Sequence, residues 1–142
     1  MKSWNDIKSE FAVDGSLRDI YVDSSSPEIW RDFIRSVKTS KYKYAFSHGG
    51  KSIEFPSSLS DIKTLQETDP TILHIWLNQV IQINCHFFVS SKIELDISPK
   101  DIAGEAEYRL LTNFLCWLQE GLNSRVSLTH ENSQMEVILS VG

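Results

Sequence analysis

The sequence contains only two cysteines, Cys85 and Cys116, and both stand among apolar residues. Two cysteines can form at most one bridge, which excludes the small secreted folds that several disulfides hold together. A free cysteine behaves as a small buried hydrophobe. We therefore expect two buried free thiols, with a disulfide as the alternative.

Long apolar runs and an excess of positive charge are also missing. No stretch approaches the roughly 18 apolar residues of a membrane helix, and Met1 to Asp6 lack the apolar core of a signal peptide. Lys and Arg number 14 against 19 Asp and Glu, a net charge of −5. Because phosphate neutralisation supplies most non-specific nucleic-acid affinity, we expect a cytoplasmic protein that binds neither nucleic acid nor membranes.

The common catalytic and nucleotide-binding motifs are absent. There is no G-x-G-x-x-G, P-loop, H-E-x-x-H, C-x-x-C or G-x-S-x-G in the sequence. We therefore expect no cofactor. Whether the protein is an enzyme stays open at this point, and the missing motifs favour a non-enzymatic protein.

The composition that is present is that of one globular domain. The chain has 142 residues, of which 41% are hydrophobic and 23% charged. Apolar spacing predicts helices over residues 4–12, 27–39, 59–65 and 99–121. Strands are predicted over residues 17–22, 42–46, 53–55, 125–129 and 136–141, with three more between 72 and 97. This pattern predicts a single α+β domain over residues 1–142, with antiparallel sheet and two main helices packed on one side.

Two stretches share the order strand, Ser-Pro, helix, strand, strand, and they predict possible halves 17–56 and 93–142 joined by a meander. From Pro27 to the next strand is 15 residues, and from Pro99 it is 26. The difference of 11 is close to three helical turns, which would keep the apolar stripe in phase. The pattern therefore predicts a duplicated βαββ unit, and the alternative is coincidence, since Ser-Pro helix starts are common.

Side chains alternate between apolar and polar from Ile72 to Ile97, which predicts three consecutive antiparallel strands. Alternate residues of a strand face opposite ways, so the apolar faces must coincide. This alignment predicts four cross-strand pairs: Ile75 with Ile83, Phe87 with Leu95, His74 with Asn84, and His86 with Asp96. The two connections would then have an odd number of residues, which is unfavourable because neither contains glycine.

The polar face of this predicted meander is the candidate site. Its predicted binding residues are His74, Trp76, Asn84, His86, Phe88, Glu94 and Asp96, with Gln82 beside them. An ordinary solvated sheet face would look similar. Exposed aromatics among polar groups favour a protein-binding face. Two histidines with carboxylates could instead bind a metal, or His86 could act as a base that Asp96 orients.

Charge is distributed unevenly along the chain. Residues 1–51 hold nine Lys/Arg and seven Asp/Glu, a net charge of +2, whereas residues 52–142 hold five and twelve, a net of −7. The acidic part suits a basic protein partner. In the first part Tyr42, Tyr44 and Phe46 alternate with Lys41, Lys43 and Ala45, which indicates either a core strand or a stacking platform.

The leading hypothesis is a non-enzymatic protein-binding domain with a protein partner. In size, acidity and expected fold class the chain resembles bacterial immunity proteins, which hold a cognate toxin. This analogy, which rests on no motif, implies an inhibitor of a partner protein. The alternatives are a small metal-dependent hydrolase built on a His/carboxylate cluster and a regulator that binds a ligand between sheet and helix. The oligomeric state stays open.

Overall fold

The computed structural model describes residues 1–24 and 26–142. Within these residues the strands are β1 (Arg18–Asp23), β2 (Lys43–His48), β3 (Lys51–Ile53), β4 (Thr71–Trp76), β5 (Gln82–Cys85), β6 (Glu94–Ile97), β7 (Arg125–His130) and β8 (Ser133–Val141). The α-helices are α1 (Trp4–Ile7), α2 (Ile29–Thr39), α3 (Leu59–Gln66) and α4 (Glu105–Leu122). Short 3₁₀ turns span Lys8–Phe11 and Pro99–Asp101. The expected α+β class is confirmed.

All eight strands of the described residues join one antiparallel sheet in the order β3-β2-β4-β5-β6-β1-β7-β8. The predicted meander is present, because β4, β5 and β6 are neighbours in the sheet. This sheet is larger than the predicted arrangement of an antiparallel sheet with two main helices on one side implied. Strand β1 lies between β6 and β7, although it is distant from both in sequence.

The apolar side chains of the sheet and the helices form one core. Helix α2 buries a stripe of five residues because their spacing places them on one face: Ile29, Trp30, Phe33, Ile34 and Val37. Helices α1, α3 and α4 contribute buried side chains to the same core. The helices therefore lie on one side of the sheet, as the sequence predicted.

The long helix differs from its prediction at both ends. Instead of running over 99–121, it begins at Glu105, after the 3₁₀ turn and a short connection, and ends at Leu122. Asn123, which follows the last helical residue, takes the left-handed conformation, with φ of 50°. Asparagine tolerates this region better than most residues, so it can replace glycine at a helix end. The predicted helix over 4–12 is similarly divided between α1 and a 3₁₀ turn.

The strand order is compatible with two βαββ halves. The unit β1-α2-β2-β3 and the unit β6-α4-β7-β8 each contain two parallel strands connected by a helix, followed by a hairpin. Without the inserted β4–β5 hairpin the order would be β3-β2-β6-β1-β7-β8. A twofold axis between β6 and β1 would exchange the units in that order. The duplication itself stays a prediction.

The two cysteines are free, and only Cys85 is fully buried. Burial raises the pKa of the Cys85 thiol, which keeps it protonated and unreactive. Cys116 is half-buried on α4. Among the described residues, no helix combines the length and apolar character needed to cross a bilayer.

Candidate functional site

The strands direct a second set of side chains away from the core, and we call this set the polar sheet face. Its members are Asp19, Tyr21, His74, Trp76, Gln82, Asn84, His86, Glu94 and Asp96, with the exposed Phe88 beside them. The buried side chains of all four helices belong to the core on the opposite side. Among the described residues, no helix therefore covers the polar sheet face.

The register of β4 and β5 is as predicted, with Ile75 opposite Ile83 and His74 opposite Asn84. The connection between the two strands, residues 77–81, is five residues long and lacks glycine. Its backbone is satisfied by the Asn78 side chain, whose Oδ1 accepts from the N–H groups of Val80 at 2.8 Å and Ile81 at 2.7 Å. The hydrogen bonds to Asn78 thus stabilise a turn for which the sequence analysis considered the lack of glycine unfavourable.

The register of β5 and β6 differs from the prediction. Asn84, and not His86, lies opposite Asp96, and the expected pairing of Phe87 with Leu95 is wrong. Strand β5 ends at Cys85, and Phe87 leaves the extended conformation with φ of 60°. A shift of two residues keeps the apolar faces aligned, so alternation alone could not have decided between the two registers.

Hydrogen bonds join the central side chains of the polar sheet face into a network. The Asn84 Oδ1 atom lies 2.8 Å from His74 Nδ1 and accepts from Gln82 Nε2 at 2.7 Å. The Asn84 Nδ2 group donates to Asp96 Oδ1 at 2.9 Å. Asn84 therefore connects an imidazole on β4 to a carboxylate on β6 and holds both in position.

An exposed aromatic pair lies beside this network. His86 Nε2 lies 3.4 Å from Asp96 Oδ2. The His86 ring stacks on Phe88, with centroids 4.8 Å apart and planes inclined by 7°. Phe88 is 72% exposed, although it follows the buried Phe87 directly. The stack presents a flat apolar surface next to charged groups, which is typical of an interface anchor.

Two residues of β1 complete the face and were missed by the sequence prediction. Asp19 lies directly opposite Asp96, and Tyr21 lies opposite Glu94. The Tyr21 hydroxyl is 3.2 Å from Asp19 Oδ2 and 3.3 Å from Glu94 Oε1. Alternation within β1 indicates that Asp19 and Tyr21 share a face, but not which strands lie beside them.

The carboxylates of Asp19, Glu94 and Asp96 form an acidic cluster. Burial raises the pKa of Asp19, the Asn132 N–H that donates to it opposes this rise, and Glu94 and Asp96 add to it. Burial, together with Asp19 and Glu94, also raises the pKa of Tyr21. In the described part of the chain, no lysine or arginine forms an ion pair with the three carboxylates.

One lysine crosses the polar sheet face above Tyr21. Lys92 Nζ lies 5.1 Å from the Tyr21 ring centroid and donates to Gln134 Oε1 of β8 at 2.7 Å. It therefore contacts the face through a cation–π interaction rather than through a carboxylate. Trp76 lies at the other end, where its ring is 5.8 Å from the ring of His74.

The structure brings all seven predicted binding residues to one side of the sheet. His74, Asn84 and Asp96 belong to the hydrogen-bond network, His86 lies within ion-pair distance of Asp96, and Glu94 belongs to the acidic cluster. Phe88 is the most exposed aromatic residue of the set, and Trp76 lies at the margin. Their role as a binding surface stays a prediction.

The arrangement suits hydrogen bonding and charge recognition. His86 beside Asp96 has the composition of an oriented general base. Over residues 1–24 and 26–142, no group of three or more His, Cys, Asp or Glu side chains is arranged to hold a metal ion. Comparison with protein-family models, with curated proteins and with solved structures found no match to this chain.

Proposed function

We propose that this protein is a non-enzymatic binding domain and that its polar sheet face docks a basic segment of a partner protein. The observation that carries the proposal is the acidic cluster beside Phe88. Asp19, Glu94 and Asp96 lie on adjacent strands without a lysine or arginine ion pair within the described residues. The highly exposed ring of Phe88 stacks on His86, which lies 3.4 Å from Asp96.

The acidic cluster is unfavourable for the isolated fold. Like charges directly opposite each other on neighbouring strands are destabilising, and Asp19 and Asp96 are such a pair. A lysine or arginine from a partner, bonded to the half-exposed Glu94 beside this buried pair, would relieve the repulsion and gain charge-assisted hydrogen bonds. The same charges would accelerate the encounter with a basic surface. The proposed partner segment is therefore positively charged.

The aromatic stack supplies the apolar part of the proposed interface. Burying the exposed ring of Phe88 on binding gains hydrophobic free energy, and its stacking on His86 already fixes its orientation. An apolar anchor surrounded by polar groups is the usual arrangement of an interface hot spot. An immunity-type inhibitor of a basic toxin is one form that this function would take.

The test captures partners from a native extract with matched variants of the immobilised protein. Phe88→Ala and Glu94→Gln alter the polar sheet face, whereas Met135→Ala and Glu136→Gln alter exposed residues of β8. Captured proteins are identified by mass spectrometry, and their affinities are then measured with purified components at two salt concentrations.

The proposal expects a basic protein that the wild type and both control variants retain. The two face variants should weaken its binding by about tenfold or more, and added salt should weaken it further. The proposal is contradicted if the captured protein is acidic, if the face variants bind like the wild type, or if nothing is retained specifically.

A further inference from the structure

A cavity opens at the margin of the polar sheet face, where β2 begins and β4 ends. Its volume is about 700 Å³. The polar and aromatic residues that line it are Lys41, Tyr42, Lys43, Trp76, Asn78 and Gln79. We call it the lysine–aromatic cavity. It differs from the acidic cluster in both charge and shape, since it presents two cations and two rings.

The two lysines are placed against aromatic rings. Lys43 Nζ lies 5.8 Å from the centroid of the Trp76 ring, and Lys41 Nζ lies 5.9 Å from that of Tyr42. Neither ammonium group has a carboxylate within ion-pair distance in the described part of the chain. Both charges are therefore available to an anion, and the rings restrict where they lie.

The walls of the cavity are held by the fold. Tyr42 packs edge-on against Phe114 at 5.6 Å and Trp117 at 5.1 Å, both on α4. Burial raises the pKa of Tyr42, so its ring stays neutral. Phe46 is buried in the core and Tyr44 packs against it, so the predicted alternative of a platform made by all three aromatics does not apply.

We propose that the lysine–aromatic cavity binds a small planar aromatic molecule that carries a phosphate or carboxylate group. The flat ring would pack against Trp76, and Lys41 and Lys43 would hold the anionic group. Amide groups of Asn78 and Gln79 would bond polar ring atoms. A long nucleic acid is disfavoured because the net charge is −5 and the acidic cluster shares the sheet face.

The test follows the indole N–H signal of Trp76 by NMR, assigned from its loss in Trp76→Phe. The probes are adenosine monophosphate and 2-naphthoate as complete ligands, with adenosine and inorganic phosphate as their separate parts. A Lys41→Gln, Lys43→Gln double variant removes both cations. Lys51→Gln is the control, because Lys51 is an exposed lysine on the edge strand β3.

At least one complete ligand should shift the Trp76 signal to saturation, with an affinity at least about tenfold above that of adenosine or phosphate alone. The double variant should lose about tenfold or more, and Lys51→Gln should bind like the wild type. Preference between the two complete ligands identifies which combination of ring and anionic group the cavity recognises. No shift with either ligand, or an unchanged affinity in the double variant, would overturn the proposal. The protein-docking proposal is unaffected by either outcome, because its variants lie elsewhere.

Discussion

Asp19 shows how a single ionisable side chain of the polar sheet face can oppose the stability of the fold. It is 4% exposed and lies opposite Asp96 on the neighbouring strand. It accepts a hydrogen bond from the Asn132 N–H at 2.8 Å. Burial first, and then the neighbouring carboxylates, raise its pKa above the ordinary value of 3.8. The folded protein therefore binds this proton more tightly than the unfolded chain does.

Replacement of Asp19 by Asn should stabilise the protein at neutral pH. Because the folded pKa is raised, the favourable contribution of Asp19 is complete below 3.8 and is lost as pH rises through the folded value. Asp19→Asn should therefore match the wild type near pH 3 and exceed it at pH 7, by about 1.4 kcal/mol for each unit of the rise. Urea unfolding at several pH values measures the difference.

Asp14 provides a control of opposite sign. Hydrogen bonds from the side chain and backbone of Ser16 lower its pKa to about 2. Its contribution to stability is present above 3.8 and disappears as pH falls towards 2. Asp14→Asn should thus be less stable than the wild type at pH 7. A wild type that outperforms Asp19→Asn at pH 7 would refute the account of Asp19.

In the segment that follows β5, one side chain lies in the core and the next lies on the surface. Phe87 has φ of 60° and is 1% exposed, with its ring 5.4 Å from Trp30. Lys63 Nζ donates to its carbonyl oxygen at 2.6 Å. Phe88 points outwards to His86 instead. The left-handed residue therefore ends the strand while keeping one ring inside and the next outside.

Alanine at these two adjacent positions should have very different effects. Phe87→Ala removes a buried ring and should lower the free energy of unfolding by about 3–5 kcal/mol. Phe88→Ala should change it by no more than about 0.5 kcal/mol, because the ring is exposed. Denaturant unfolding of both variants measures these values. Equal losses would mean that Phe88 contributes to the core rather than to a free surface.

The β4–β5 connection is a second element with a direct test. Asn78→Ala removes the acceptor of two backbone N–H groups and should destabilise the protein by about 1 kcal/mol. The neighbouring Gln79→Ala is the control, since no turn hydrogen bond involves its side chain among the described residues. Thermal unfolding compares the two. A loss in Gln79→Ala as large as that in Asn78→Ala would contradict this role.

At the scale of the whole molecule, local sequence patterns predicted the individual helices and strands better than the order of the strands in the sheet. Periodicity located the helices and the meander, and alternation placed His74 and Asn84 opposite each other. It could not place β1 between β6 and β7, because pairing of distant strands depends on the packing of the entire core. Asp19 and Tyr21 were missed for that reason, and the β5–β6 register was wrong because a two-residue shift preserves the faces.

The most direct test of the docking account is hydroxyl-radical footprinting of the protein alone and in complex with its purified partner. Phe88 and His86 should become several-fold less reactive in the complex, whereas Met135, which is 92% exposed on β8, should keep its reactivity. That result would place the partner on the polar sheet face. Unchanged labelling of Phe88 and His86, with protection confined to the helices or to β8, would contradict it.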